Sequence, residues 1–383
     1  MTAVRLRLVR WLVPLVVLAL VLGAAALRTS LANAAPSLPK LTAAQLLAKV
    51  AQADVKSLSG TVRTSTDLGL PPLPTAEGDL GLQALLSGDH TLRVYLDGPQ
   101  RQRVDLLGTL SEIKLIHNGR DAWYWSSSAN TATHTRLPVL PTERPGKMPD
   151  RRKMPTGSPQ ALAQMLLDAI GPTTQVSVGT AATVAGRPAY DLRLAPKSAD
   201  SLIQRADLYV DSATGLPLRA TVLARGASKP AIDVGYTKIT IGAPPASVFT
   251  FKAPAGAKVT EKCIPGPGWS AGAHPDRAWP RDAVPGPGRT GKAWPHNGTS
   301  GPRVHGSGWA TAVEIRGLPA GSTSDPRLAL LLKDARTETG RFGSGKLLTT
   351  RLLTVLITDD GRIFAGPVTV PALLRIANAA GPR

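Results

Sequence analysis

This 383-residue chain contains one cysteine, Cys263, and only seven Trp, five Tyr and four Phe. A single thiol excludes an intrachain disulfide framework, a cysteine-rich zinc site and an iron–sulfur cluster. The six histidines (His90, His117, His134, His274, His296, His305) include no i, i+4 pair of the kind that holds a metal on one helix face. Acids are scarce as well, 26 against 45 Lys and Arg, for a net charge of +19. The basic excess is spread along the chain, whereas a nucleic-acid module gathers its cations on one element with stacking aromatics beside them. The densest run, Arg144 to Lys153, is interrupted by prolines and Asp150 and reads as a solvated loop. No nucleic-acid partner is expected.

Gly (37) and Pro (34) are abundant, yet 43% of residues are hydrophobic, which is enough for a packed core. The length suits more than one domain. At the amino terminus Arg5, Arg7 and Arg10 precede an uncharged apolar run from Trp11 to Leu27, followed by Arg28 and Ala32-Asn33-Ala34. A basic end, an apolar segment and small residues form an export signal. The first reading of residues 1–34 is a signal peptide cleaved after Ala34. The second is an uncleaved anchor, since the run just reaches the length of a membrane span. Either one places the rest outside the cytoplasmic membrane, secreted or held at its outer face, away from ATP and nicotinamide chemistry.

Leu41 to Leu58 has apolar residues at three- and four-residue spacing (Leu46, Leu47, Val50, Val55) and Thr42 to cap it, predicting a helix that Ser59-Gly60 ends. A strand is expected at 61–68 and a loop at 69–88. Period-two segments follow at His90–Leu96, Arg101–Leu107, Glu112–His117 and Asp121–Ser126. Asp97-Gly98-Pro99 and Asn118-Gly119 are their turns, because Gly and Asn tolerate positive φ. A second helix is predicted at Ser158–Ile170. Strands resume at Gln175–Val178, Ala189–Leu194, Ala206–Val210, Pro217–Leu223 and Ile232–Ile241. Residues 262–303 carry Pro265-Gly266-Pro267-Gly268 and Pro285-Gly286-Pro287-Gly288 without apolar periodicity, and read as a linker that Cys263 opens. Residues 304–383 then form a small α+β domain: a strand at Trp309–Leu318, a helix at Pro326–Thr337, strands near Leu347–Thr358 and Arg362–Ala365, and a helix at Pro371–Ala379.

The fold class expected is α+β, a strongly curved antiparallel sheet with helices in its concavity. Leu92, Val94, Leu96, Val104, Leu106, Ile113, Leu115, Trp123 and Trp125 are the candidate lining of one apolar face across four strands. An ordinary core is the alternative for any one of them. The order of several motifs resembles the outer-membrane lipoprotein carrier (LolA-like) superfamily. They are the first helix running into Ser59-Gly60-Thr61-Val62, then Val94-Tyr95-Leu96-Asp97-Gly98-Pro99, and Asp121-Ala122-Trp123-Tyr124-Trp125. Leu208-Tyr209-Val210-Asp211 follows, with Thr214-Gly215-Leu216-Pro217-Leu218-Arg219, and then Phe249-Thr250-Phe251 with Pro254 and Gly256. The resemblance covers residues 41–261. It implies an incomplete β-barrel lidded by helices, which takes up lipid or the acyl chains of a lipoprotein. The two-domain plan is similar to exported sigma-factor regulatory proteins of that superfamily, which implies a membrane protein partner reached through residues 304–383.

No catalytic set, metal site or cofactor is expected. Gly340-Arg341-Phe342-Gly343-Ser344-Gly345-Lys346 has the phosphate-loop spacing, but Leu347 stands where a Ser or Thr must ligate magnesium. It reads as a loop between helix and strand. Ser37-Leu38-Pro39-Lys40 has the S-x-x-K spacing, but Pro39 prevents the helical turn that would bring Ser and Lys together. Asp359-Asp360-Gly361 reads as a turn.

Overall fold

The computed structural model describes residues 36–70, 87–108, 110–137, 171–263, 302–316, 332 and 335–381. The export signal, the expected second helix and most of the 262–303 stretch lie outside them. Among the described residues no helix is long and apolar enough to cross a membrane.

Helix α1 spans Ala43–Ala51. Thr42 caps it as read: its hydroxyl accepts from the Gln45 amide, and the Gln45 side chain accepts from the Thr42 amide. The helix stops at Gln52, well short of the expected Leu58. Strand pairing takes over there. Leu58 is 2% exposed, facing Leu96 and Ile241 on two neighbouring strands. Burying a leucine in this way is worth roughly 1.5–3 kcal/mol, more than the last helical turn could return.

The strands that follow are β1 (Ser57–Asp67), β2 (Ser87–Asp97), β3 (Arg101–Leu107), β4 (Glu112–Asn118), β5 (Asp121–Ser126) and β6 (Thr131–Arg136). After 138–170 come β7 (Thr174–Val178), β8 (Ala182–Val184), β9 (Arg187–Pro196), β10 (Ile203–Asp211), β11 (Pro217–Ala224), β12 (Ile232–Ile241) and β13 (Lys258–Cys263). They form one large curved sheet in the order β13-β6-β5-β4-β3-β2-β1-β12-β11-β10-β9-β7, with β8 also on β9. Every pairing is antiparallel except β13 on β6. The sheet does not close, so it is an incomplete barrel, as expected. Cys263, expected to open a linker, is the last residue of β13.

A second sheet runs β14 (Arg303–His305), β15 (Ala312–Arg316), β19 (Arg362–Gly366), β18 (Thr354–Thr358), β17 (Gly343–Thr349) and β16 (Arg336–Gly340). Helix α2 (Val370–Ala380) packs Ala372, Leu373 and Ala377 onto Phe364, Leu356 and Leu347. Thr337, read as the end of a helix, sits in β16. The stretch with phosphate-loop spacing is therefore a hairpin between two strands, with Phe342 at its turn buried in the core. Glu314 is also buried here. Burial raises its carboxyl, but hydrogen bonds from His305 and Arg316 outweigh that and hold it below the usual range.

The two sheets meet along a main-chain seam. Ser201 and Val368, both fully buried, form an isolated antiparallel bridge. The Leu202 amide donates to the Pro367 carbonyl at 2.8 Å, and the Thr369 amide to the Asp200 carbonyl at 2.7 Å. Ion pairs Arg375–Asp200 and Arg351–Asp67 flank the bridge. Beside it lies a cleft of about 650 Å³ lined by Trp309, Lys197 and Arg375, among others.

Candidate functional site

Residues opposite each other in an antiparallel ladder share a face, so the registers trace each side of the large sheet. The side that carries α1 is the inner face. There Leu46 packs on Tyr190, Leu192 and Val210, with Leu47, Val50 and Leu208 around them. The register carries this face onward from Leu192 to Leu208, Ala220 and Val234. Beyond β12 it continues through Val62, Leu92, Leu106 and Ile113. Val94, Leu96, Val104 and Leu115 belong to it as well. Seven of the nine residues read from the sequence thus lie together, on a face that extends well beyond the four strands expected.

The sequence-derived lining needs one correction. Trp123 and Trp125 are on the opposite, outer face. The tight turn after Asn118 pairs that residue with Asp121, which sets Leu115 against Tyr124 and Ile116 against Trp123. The inner position on β5 is therefore Tyr124, which packs against the Leu92–Val234 cluster. Trp123 and Trp125 instead meet Phe251, at ring-centroid distances of 5.1 and 6.3 Å. The segment carrying Phe251 straps the outer face: Phe249 is 1% exposed, and Arg103 donates to the Val248 carbonyl at 2.8 Å.

Tyr236 is the inner-face residue that sequence reading missed. Its ring lies over Gly60, where an added Cβ would come within 2.7 Å of the ring and 2.8 Å of the Lys238 carbonyl. Gly60, expected to end a helix, is thus the clearance that lets the ring lie against β1. Burial pushes the Tyr236 phenol up to about 12, so it stays protonated and can donate a hydrogen bond on a mostly apolar surface. Two apolar side chains of this face remain substantially exposed, Leu115 at 37% and Ile241 at 38%.

The outer face differs in kind. Across β9 to β12 it carries Asp191, Arg193, Arg205, Asp207, Arg219 and Asp233, joined by ion pairs such as Arg193–Asp191 (2.8 Å) and Arg219–Asp233 (2.5 Å). Asp191 is 1% exposed, and its Oδ1 has no hydrogen-bond partner. Burial pushes its carboxyl up, against the opposing pull of Arg193.

Among the described residues no group of three His, Cys, Asp or Glu side chains could hold a metal ion. One stretch, Gly268-Trp269-Ser270-Ala271-Gly272, has the G-x-S-x-G spacing of hydrolase nucleophile turns and lies outside the described residues.

No protein-family model matches the chain, and no curated protein matches it. Solved structures do. The Pseudomonas aeruginosa MucA/MucB complex is 15% identical over 88% of this chain and 96% of that one, with a TM-score of 0.40. The LolA superfamily protein NE2245 from Nitrosomonas europaea is 14% identical over 55% of this chain and 99% of its own, with a TM-score of 0.20. A putative outer membrane lipoprotein-sorting protein domain from Vibrio parahaemolyticus is 9% identical over 54% and 95%, with a TM-score of 0.22. The chain is similar, at low identity and at the level of fold, to LolA superfamily proteins and to MucB.

Proposed function

We propose that this chain is a non-enzymatic binding protein of the bacterial envelope, exported by its amino-terminal segment, whose inner sheet face takes up the acyl chains of a lipid or lipoprotein. The observation that carries the reading is the continuity of that face. Apolar side chains run from Leu192 on β9 to Leu115 on β4 without an ion pair among them. Such a surface is mostly apolar with few polar groups, as lipid sites are. Each methylene placed there is worth about 0.8 kcal/mol, and the protonated Tyr236 hydroxyl is a donor suited to an ester carbonyl or a headgroup oxygen.

Retention of a fluorescent acyl lipid by the full chain tests this. Val104→Asp and Leu115→Asp put a charge on the face, and each is expected to lower retention at least about tenfold while the circular dichroism stays unchanged. Retention equal to wild type in both folded variants contradicts the reading.

A second reading rests on the seam. The bridge between Ser201 and Val368 ties the second domain to the strand pair that carries α1. A ligand that moves α1 would be felt there, which suits a sensor presenting residues 304–383 to a membrane protein such as an anti-sigma factor. Deleting those residues should abolish partner capture and spare lipid retention. Equal capture by both forms would remove this reading.

A further inference from the structure

His134 on β6 is held by two carboxylates at once. Its Nε2 lies 2.8 Å from Asp121 Oδ1 on β5, and its Nδ1 lies 2.8 Å from Glu261 Oε2 on β13. The ring stacks on Trp123 at 4.2 Å and 7°, and the histidine is 8% exposed. Its orientation is therefore fixed by packing. A neutral imidazole has one N–H and one lone pair, so it donates to one ionised carboxylate and presents its lone pair to the other. The Nε2 contact to Asp121 is a hydrogen bond and the Nδ1 contact to Glu261 an ion pair, so only the charged ring attracts both carboxylates. Imidazole is also the side chain that ordinarily changes charge between mildly acidic and neutral pH.

We propose that His134 is a proton-operated latch for β13, closed when the ring is charged and loosened when it is neutral. Little else holds this strand by its side chains. All six residues of β13 are exposed, so burial contributes almost nothing to its docking. The remaining attachments are the parallel ladder to β6, the Lys258 amide on the Asn130 carbonyl, and the Asn130 side chain on the Gly256 carbonyl. Glu261 stands opposite His134 in that ladder, which is why one side chain can reach the ring. The next charged or titratable position on that side is Arg136, opposite Cys263 on β13 and Asp121 on β5.

The consequence lies at the exit of the domain. Among the described residues β13 is the last strand before the second sheet. Freeing its six residues lengthens the connection by about 20 Å and bares the edge of β6. This inference is independent of the acyl-binding reading.

The test is hydrogen exchange on the full chain, following the amides of 258–263 at pH 5.5 and pH 8 after correction for the intrinsic rate. Wild type is expected to exchange roughly three- to fivefold faster at pH 8, the scale of an ion pair to a largely exposed carboxylate. Glu261→Gln keeps a partner that can accept from or donate to the ring, so its corrected rates should agree within about twofold between the two pH values. A nitroxide on Cys263, the only cysteine, gives a second readout, broad at pH 5.5 and sharper at pH 8. Equal wild-type rates at both pH values, or the same pH response in Glu261→Gln, would overturn the latch.

Discussion

The two faces of the large sheet are made from alternate residues of the same strands, yet they solve opposite problems. The inner face has Leu192, Leu208, Val234 and Leu92 in adjoining positions and is covered at one end by α1. The outer face has Arg193, Asp207, Thr221 and Asp233 on the neighbouring row, satisfied by ion pairs and hydrogen bonds. Apolar groups gain by being covered with anything apolar; Leu92, Val94 and Val234 on this face are buried, while Leu115 and Ile241 at its margins stay exposed. Charged groups that have found partners gain little from a further ligand. The difference explains why acyl binding is assigned to the inner face, and why the ladder of charges on the outer face reads as structure.

The largest effect should come from the covered end of the inner face. Leu192 is 1% exposed beneath α1, and Leu192→Ala is expected to cost about 2–5 kcal/mol in urea unfolding. A loss below 1 kcal/mol would mean that α1 is not packed as described. A smaller loss, about 1–3 kcal/mol, is expected for Gly60→Ala, because its methyl must displace the Tyr236 ring or the Lys238 carbonyl. An unchanged urea midpoint would show that the ring yields freely.

The smallest effect, and one of opposite sign, should come from the outer face. The folded carboxyl of Asp191 titrates above its unfolded value. Its charge therefore disfavours the folded state, and its contribution to stability declines as pH rises from the unfolded value through the folded one. Asp191→Asn removes that cost at pH 7 and should leave the urea midpoint equal to wild type or slightly higher, with the gain vanishing toward pH 3.5. A clear drop at pH 7 would show that the pairing with Arg193 more than repays the burial.

Much of this was legible in the sequence because a half-buried strand writes its pattern at period two. Arg101–Leu107, Asp121–Ser126 and Ile232–Ile241 lie where alternation placed them. What alternation leaves open is parity across a turn, and one residue there inverts a whole strand. The turn at Asn118 thus puts Trp123 and Trp125 on the outer face, where alternation alone suggests the inner one. β13 was missed for a different reason. Its sequence, Lys-Val-Thr-Glu-Lys-Cys, is exposed throughout and held by the backbone of β6, so no apolar rhythm marks it. The His134 contacts depend on that pairing and join residues far apart in the chain. The Tyr236–Gly60 contact required knowing that β12 lies beside β1.

The central claim is that the inner face holds acyl chains, and native mass spectrometry of the full chain, exported in a bacterial host and gently purified, addresses it most directly. The account expects one stoichiometric lipid or acylated peptide on the wild type, released into organic solvent and missing from Leu115→Asp. A folded wild type that carries nothing and ignores added acylated peptide would contradict it.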